Sequence, residues 1–279
     1  MNRYGFCTTH DEPGGETEIG RRASQTYTGR ARAQIAHHDL DRRESAMQHH
    51  EISRRAIVTG AGATGTLAVV GLIGSGTASA ANPVLQTGSK GSAVTTLQKR
   101  LNALGYWCGN PDGAFGAQTK QAVLAVQKVA GLARDGVVGA RSWDALNRGV
   151  RPSSRRGGNR IEVDKSRQIV MVVRGGSVKY IFNTSTGNGQ TFTYYGRRIK
   201  AVTPSGEYKT YRSVTSGWDY GALGGLYRPF YFNGGIALHG SNDIPAYPAS
   251  HGCCRMSCAA QDFLIGSKLL YIGEAVSVY

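Results

Sequence analysis

The chain has 279 residues, 40% apolar and 18% charged, with 39 Gly and 8 Pro. That composition supports one or two domains with a sizeable core and excludes a polytopic membrane protein, a collagen-like repeat and a wholly disordered chain. Lys and Arg outnumber Asp and Glu by 33 to 18, and residues 81–279 hold 24 of those basic residues but only 10 of the acidic ones. The excess points to an anionic surface or polymer as partner; the basic residues are scattered, and no aromatic-plus-arginine module for nucleic acid is apparent.

Residues 1–52 are polar and aperiodic and read as a disordered or mis-assigned N-terminal extension. Arg54-Arg55, the uncharged stretch Ala56–Gly76 and the ending Ala78-Ser79-Ala80 then describe a signal peptide over 53–80. Ser53-Arg54-Arg55 leaves twin-arginine export open beside ordinary secretion. The apolar stretch is long enough to span a bilayer, so membrane association through residues 56–76, transient or permanent, stays open too. The expected location is exported, in the cell wall or outside it, which argues against a nucleic-acid partner. Past the signal only His239 and His251 remain of the seven His, and Cys108, Cys253, Cys254 and Cys258 of the five Cys.

A small helical module is expected over 85–149. Val94, Leu97, Leu101 and Leu104 fall at helical spacing before Gly105. A second helix carries Ala122, Val123, Val126 and Val129, and a short third one Trp143 and Leu146. Two loops repeat: Asp112-Gly113-Ala114-Phe115-Gly116-Ala117-Gln118-Thr119 aligns with Asp135-Gly136-Val137-Val138-Gly139-Ala140-Arg141-Ser142. Each Asp-Gly permits a tight turn, and Thr119 and Ser142 stand where a hydroxyl would cap the next helix. The spaced Gly88, Gly91, Val94, Leu97-Gln98, Leu104-Gly105-Tyr106 and the first loop resemble the type 1 peptidoglycan-binding domain family. That resemblance implies wall binding for the module as a whole and identifies no binding residue.

Residues 150–159, with Pro152, Ser153, Ser154, Gly157 and Gly158 among charges, read as a flexible linker. From Arg160 to Tyr279 the period changes to that of strands. Candidates are Ile161–Asp164, Gln168–Arg174, Val178–Asn183, Gly206–Arg212, Tyr227–Phe232, Gly235–Leu238 and Ala275–Val278, with Gly175-Gly176 as a hairpin turn and one helix after Ser257. The fold class expected is an α plus mainly-β two-domain chain: a three-helix module, then a β-rich sandwich or barrel-like core.

The chemistry lies in the stretch from His239 to Met256. A thiol is a good nucleophile only as thiolate, and a neighbouring imidazole can supply that state. Both exported histidines lie within fifteen residues of Cys253, which reads as a Cys-His pair rather than two structural rings. Gly252 lets backbone N–H groups approach a ligand closely, suiting an oxyanion hole at Cys253. A zinc site is disfavoured, because the two-residue gap usual between paired Cys ligands is absent; no metal and no organic cofactor is expected. Cys254 and Cys258 stand four apart, and a bridge between them, or from either to Cys108, is left open by the sequence.

Ser250-His251-Gly252-Cys253-x-Arg255, with His239-Gly240 upstream, resembles the motif of the L,D-transpeptidase catalytic domain, the YkuD family; Thr203-Pro204-Ser205-Gly206 is similar to the family's strand entry. The resemblance implies Cys253 as nucleophile and His239 as general base and then acid, its ring oriented by a carbonyl at Gly240 or Ser241. It implies amides of Gly252 and Cys253 around the oxyanion, and His251 and Arg255 supporting the loop and gripping a substrate carboxylate, with Ser250, Gly240 and Ser241 beside the substrate. The implied reaction joins a tetrapeptide donor stem to an amine acceptor in peptidoglycan as a 3→3 cross-link, with carbapenem-type β-lactams as covalent inhibitors and anionic wall polymers as a further partner. Hydrolysis by an L,D-carboxypeptidase and a non-catalytic wall binder are the rival readings.

Overall fold

The computed structural model describes residues 82–279. The N-terminal extension and the signal peptide expected over 53–80, with Cys7 and the five upstream histidines, lie outside the described residues. Among the described residues no helix is long and apolar enough to cross a membrane.

Three helices come first: α1 Ser92–Ala103, α2 Ala117–Val129 and α3 Ala140–Asn147. The α1 stripe of Val94, Leu97 and Leu101 is buried, as periodicity predicts, and the chain leaves it through Gly105 at φ 81°. The repeated loops do not cap their helices through Thr119 and Ser142. Helices α2 and α3 begin at Gly116 and Gly139 with no side-chain cap. Instead a buried glutamine from the preceding helix reaches into each loop. Gln98 Nε2 donates to Asp112, Ala114 O and Thr119 Oγ1, while its Oε1 accepts from Gly113 N. Gln127 does the same with Asp135, Val137 O and Ser142 Oγ, and accepts from Gly136 N. The hydroxyls are acceptors for a buried amide, which cannot go unpaired at low cost.

The rest is built from twelve strands and one helix: β1 Arg160–Asp164, β2 Ile169–Arg174, β3 Ser177–Asn183, β4 Thr191–Tyr194, β5 Arg197–Lys200, β6 Gly206–Lys209, β7 Arg212–Ser213, β8 Trp218–Gly221, β9 Gly224–Asn233, β10 Ile236–Ser241, β11 Cys254–Ser257, α4 Cys258–Gly266 and β12 Ala275–Val278. One sheet runs β3-β2-β1-β12-β6; the second runs β11-β10-β9-β7 with β8 also on β9; β4 and β5 form a separate ribbon. Gly175 and Gly176, at φ 58° and 75°, make the β2–β3 turn. The stretch Gly206–Arg212 is split between the two sheets rather than forming one strand. The β4–β5 ribbon, β8 and β11 escaped the sequence reading. Ser257 caps α4, accepting from Ala260 N.

Strand β2 explains how the helical region sits. Ile169–Val173 is a continuous apolar run, every residue buried, which marks a strand covered on both faces. Val170 and Val172 join Ile161, Val163, Phe230, Phe232, Leu238 and Met256 in a core shared by the two sheets. Ile169, Met171 and Val173, on the opposite face, join Val178, Ile181 and the apolar stripes of α1–α3. The helical region therefore forms one side of the β-rich region's own core. Trp107 stacks on Phe263 at 4.9 Å, and Ile181 exchanges backbone hydrogen bonds with Gly105 and Trp107.

The segment expected to be a flexible linker is pinned. Glu162, fully buried, accepts from Ser154 Oγ, the backbone N–H groups of Arg155 and Arg156, and Tyr279 Oη. Burial pushes its carboxyl up, but these donors together hold it below its ordinary value. Arg151 also donates to Val178 O. Pro152, the two glycines and the arginines here mark an irregular but fixed connection.

Candidate active site

Parallel pairing of β10 and β11 sets Leu238 beside Cys254 and His239 beside Arg255. That register brings the two ends of the His239–Arg255 stretch together. The β10–β11 connection closes over a cleft of about 500 Å³ lined by His239, Ser241, Ser250, His251, Cys253 and Arg255, with Tyr194, Arg212, Asp219 and Tyr231 opposite.

His239 is buried, and its Nδ1 lies 2.8 Å from Gly240 O. A carbonyl only accepts, so Nδ1 carries the proton and Nε2 is left with its lone pair. Gly240 is required there: a Cβ would meet Tyr227 at 2.8 Å and the Cys258 backbone at 2.9 Å. Of the two carbonyls expected to orient the ring, Gly240 or Ser241, it is that of Gly240 that His239 meets. Burial depresses the His239 pKa to about 4, the Gly240 carbonyl working in the opposite direction and Arg255 adding to the depression. Burial likewise raises the Cys253 thiol, while a hydrogen bond from the Ala237 backbone and the Arg255 charge pull it down less strongly. Both shifts favour the uncharged thiol and imidazole over the anionic sulfur expected from sequence. Desolvation penalises both charged forms and is the largest influence on each group.

Ser250 and the Gly252 amide are placed differently from expectation, while His251, Ser241 and Arg255 line the cleft. Ser250 is buried, its hydroxyl donating to Cys253 O at 2.6 Å and accepting from Gly252 N at 3.0 Å. It clamps the turn and has no hydrogen left for a substrate. The same bond commits the Gly252 amide inward, so this amide does not serve an oxyanion in the observed arrangement. His251 is exposed, its ring edge-on to Phe192 of the β4–β5 ribbon at 4.6 Å, which makes it a wall of the cleft. Ser241 lines the cleft and closes a turn with Asp243. Arg255 NH1 reaches Asp243 at 3.2 Å; that carboxylate is 78% exposed, so the pair holds the guanidinium loosely rather than burying it.

Cys108 and Cys254 are buried free thiols, so neither bridges to Cys258. Among the described residues no cluster of His, Cys, Asp or Glu could hold a metal ion. Sequence reading missed Thr203 as a support of the site: buried, it donates to Gly252 O at 2.6 Å and accepts from Gly187 N at 3.0 Å. It also missed Tyr231, whose hydroxyl donates to Asp219 at 2.6 Å and whose ring lies under the Arg212 guanidinium. The alternation in Trp218–Gly221 was the signal available for that side of the cleft.

Comparison with known proteins gives the family. A peptidoglycan binding domain model matches residues 90–146, and an L,D-transpeptidase catalytic domain model matches residues 158–266. The crystal structure of an L,D-transpeptidase from Xylanimonas cellulosilytica is 45% identical and covers 70% of this chain and 97% of its own, with a TM-score of 0.67. Shorter matches are to the N-acetylmuramoyl-L-alanine amidase CwlM of Mycobacterium tuberculosis, 45% identical over 56 residues, and to CwlL of Bacillus licheniformis, 45% over 65 residues. Those matches take in 20% and 23% of this chain and only 14% and 18% of the amidases' length. The chain belongs to the L,D-transpeptidase family, with a peptidoglycan-binding domain ahead of a YkuD catalytic domain.

Proposed function

We propose that the protein is an exported peptidoglycan L,D-transpeptidase that forms 3→3 cross-links through a cysteine acyl-enzyme. The observation that supports this most is the orientation of His239: with Nδ1–H spent on Gly240 O, Nε2 is the lone pair available in the cleft that Cys253 shares.

The tetrapeptide stem enters with its terminal carboxylate toward Arg255, which offers a planar, permanently charged donor fork. His239 Nε2 takes the Cys253 proton as the sulfur attacks the carbonyl of the third residue. The oxyanion is assigned to the Cys253 amide, since that of Gly252 is committed to Ser250. His239 then protonates the leaving amine, D-Ala departs, and a thioester remains on Cys253. The side-chain amine of a second stem attacks the thioester, giving its proton to His239 and regenerating the thiol. One imidazole serves both halves because its pKa lies below neutrality and it returns to the neutral form after each proton transfer. A carbapenem acylates the same sulfur in place of the stem.

The test is incubation of tetrapeptide muropeptides with wild type and Cys253→Ala, with mass analysis of products. Wild type should release D-Ala and form dimers, and the variant neither. Tripeptide monomers without dimers would replace the acceptor amine by water and make the enzyme a carboxypeptidase; equal turnover by the variant would remove Cys253 from the mechanism.

A further inference from the structure

Helix α2 and the turn after it send polar side chains onto the β10–β11 connection. Gln121 Nε2 donates to Ile244 O at 3.4 Å, and its Oε1 accepts from Asn183 Nδ2 at 2.5 Å. Arg134 NH1 donates to Ala246 O at 3.2 Å. Ile244 and Ala246 belong to the β10–β11 connection, and the residue before Ile244 is Asp243, the carboxylate on Arg255. The side chain of Arg255 thus meets, through an exposed carboxylate, a loop that the helical region holds in turn.

The backbone of Arg255 is held by a second route. Lys128, buried, donates from Nζ to Gln168 O at 2.9 Å and Thr184 O at 3.0 Å. Thr184 Oγ1 donates to Arg255 O at 2.8 Å, and Ser185 exchanges backbone bonds with Arg255 in both directions. Ser185 Oγ also donates to Tyr247 O at 2.8 Å, tying both routes together. Burial depresses the Lys128 amine to about 7, the Arg134 charge adding to the depression; a buried amine on two carbonyls is costly if packing alone is needed, since a Met or Leu would fill the space without burying a polar group. The expense is understandable if the carbonyls must be fixed in place.

We propose that the helical domain is a positioning element of the active site: Gln121, Lys128 and Arg134 fix Arg255 beside the Cys253 sulfur, so that wall binding and chemistry share one rigid body. The proposal goes beyond the catalytic reading and rests on it for the role of Arg255. None of the three residues touches substrate; they act through the loop and through Thr184.

The test uses the whole chain with Gln121→Ala, which changes no charge, and Lys99→Ala, an exposed site on α1, as control. Cys253 is alkylated with iodoacetamide, an uncharged probe, across pH. The other charged or titratable groups on the cleft, His239, His251, Arg212, Asp219, Asp243, Tyr194, Tyr220 and Tyr231, are unaltered, as is Lys128, whose amine burial lowers to about 7 and whose titration is common to variant and control. Releasing Arg255 removes a cation that favours the thiolate, so the alkylation midpoint should rise by about half a pH unit, and KM for the tetrapeptide about fivefold with a smaller change in kcat. A midpoint and KM equal to those of Lys99→Ala would overturn the proposal. If Gln121→Ala fails to fold, Arg134→Met, at an exposed side chain, carries the same two readouts, with Arg134→Lys expected to restore both. Alkylation needs no stem peptide, so a wild type inert on tetrapeptide would sink the catalytic reading while the thiol profile still decides this one.

Discussion

Removal of residues 82–149 should unfold or aggregate the catalytic domain rather than merely detach it from the wall. Strand β2 and its neighbour β3 present Ile169, Met171, Val173, Val178 and Ile181 to the helical region, each buried. Fully exposing one such side chain costs about 1.5–3 kcal/mol, so five together cost on the order of 10 kcal/mol. That is an upper figure, because an unfolded chain already covers part of its apolar surface. It still matches the whole stability of an ordinary domain, about 5–15 kcal/mol. The assay compares 82–279 with 150–279 by soluble yield, near-ultraviolet circular dichroism and thermal unfolding. The short form should be insoluble or lack cooperative melting. Replacing Ile169, Met171 and Val173 by Thr, Gln and Thr should recover solubility, because alternate β2 residues face the missing helices, whereas the same change at Val170 and Val172 should not. A short form that melts cooperatively within a few degrees of the long one would refute the shared-core argument.

Other consequences follow from single groups. Thr203→Val keeps the shape but leaves Gly252 O and Gly187 N without their partner; a loss of about 2–3 kcal/mol is expected in denaturant unfolding, with Cys253 alkylated faster as the turn loosens. His239→Asn should lower kcat by about 10²–10⁴-fold while the melting temperature moves little, measured on tetrapeptide turnover. In kcat/KM against pH, the ring must be neutral to accept the thiol proton, so the acid limb should fall with a midpoint near the His239 value of about 4. A limb near 6.5, the value of an unburied imidazole, would contradict the burial argument. Alkylation of Cys253 should gain rate up to a pH above the ordinary cysteine value, since burial raises the thiol.

The proposed pair, His239 and Cys253, stood out in the sequence because both lie in one short stretch. A single parallel strand pairing brings the ends of that stretch together. The helices were legible for the same reason, their stripes at 3.6-residue spacing being intrinsic to each segment. What escaped depends on partners distant in the chain. Glu162 is met by Tyr279 and Lys128 by Thr184, and nothing in the neighbouring residues announces either. Thr119 and Ser142 misled because a hydroxyl near a helix start caps it only when no buried donor claims it first; Gln98 and Gln127 do. The standing thiolate was expected from proximity alone, and proximity says nothing of desolvation. The unbroken apolar run of β2 was the sequence's own sign that the two domains share a core.

The most direct test of the central claim is intact mass spectrometry after rapid mixing with tetrapeptide stem and acid quench. A covalent adduct of the donor lacking its terminal D-Ala, mapped to Cys253 and accumulating more slowly in His239→Asn, is the predicted result. Release of D-Ala with no adduct on Cys253, or an adduct formed equally fast without the imidazole, would contradict it.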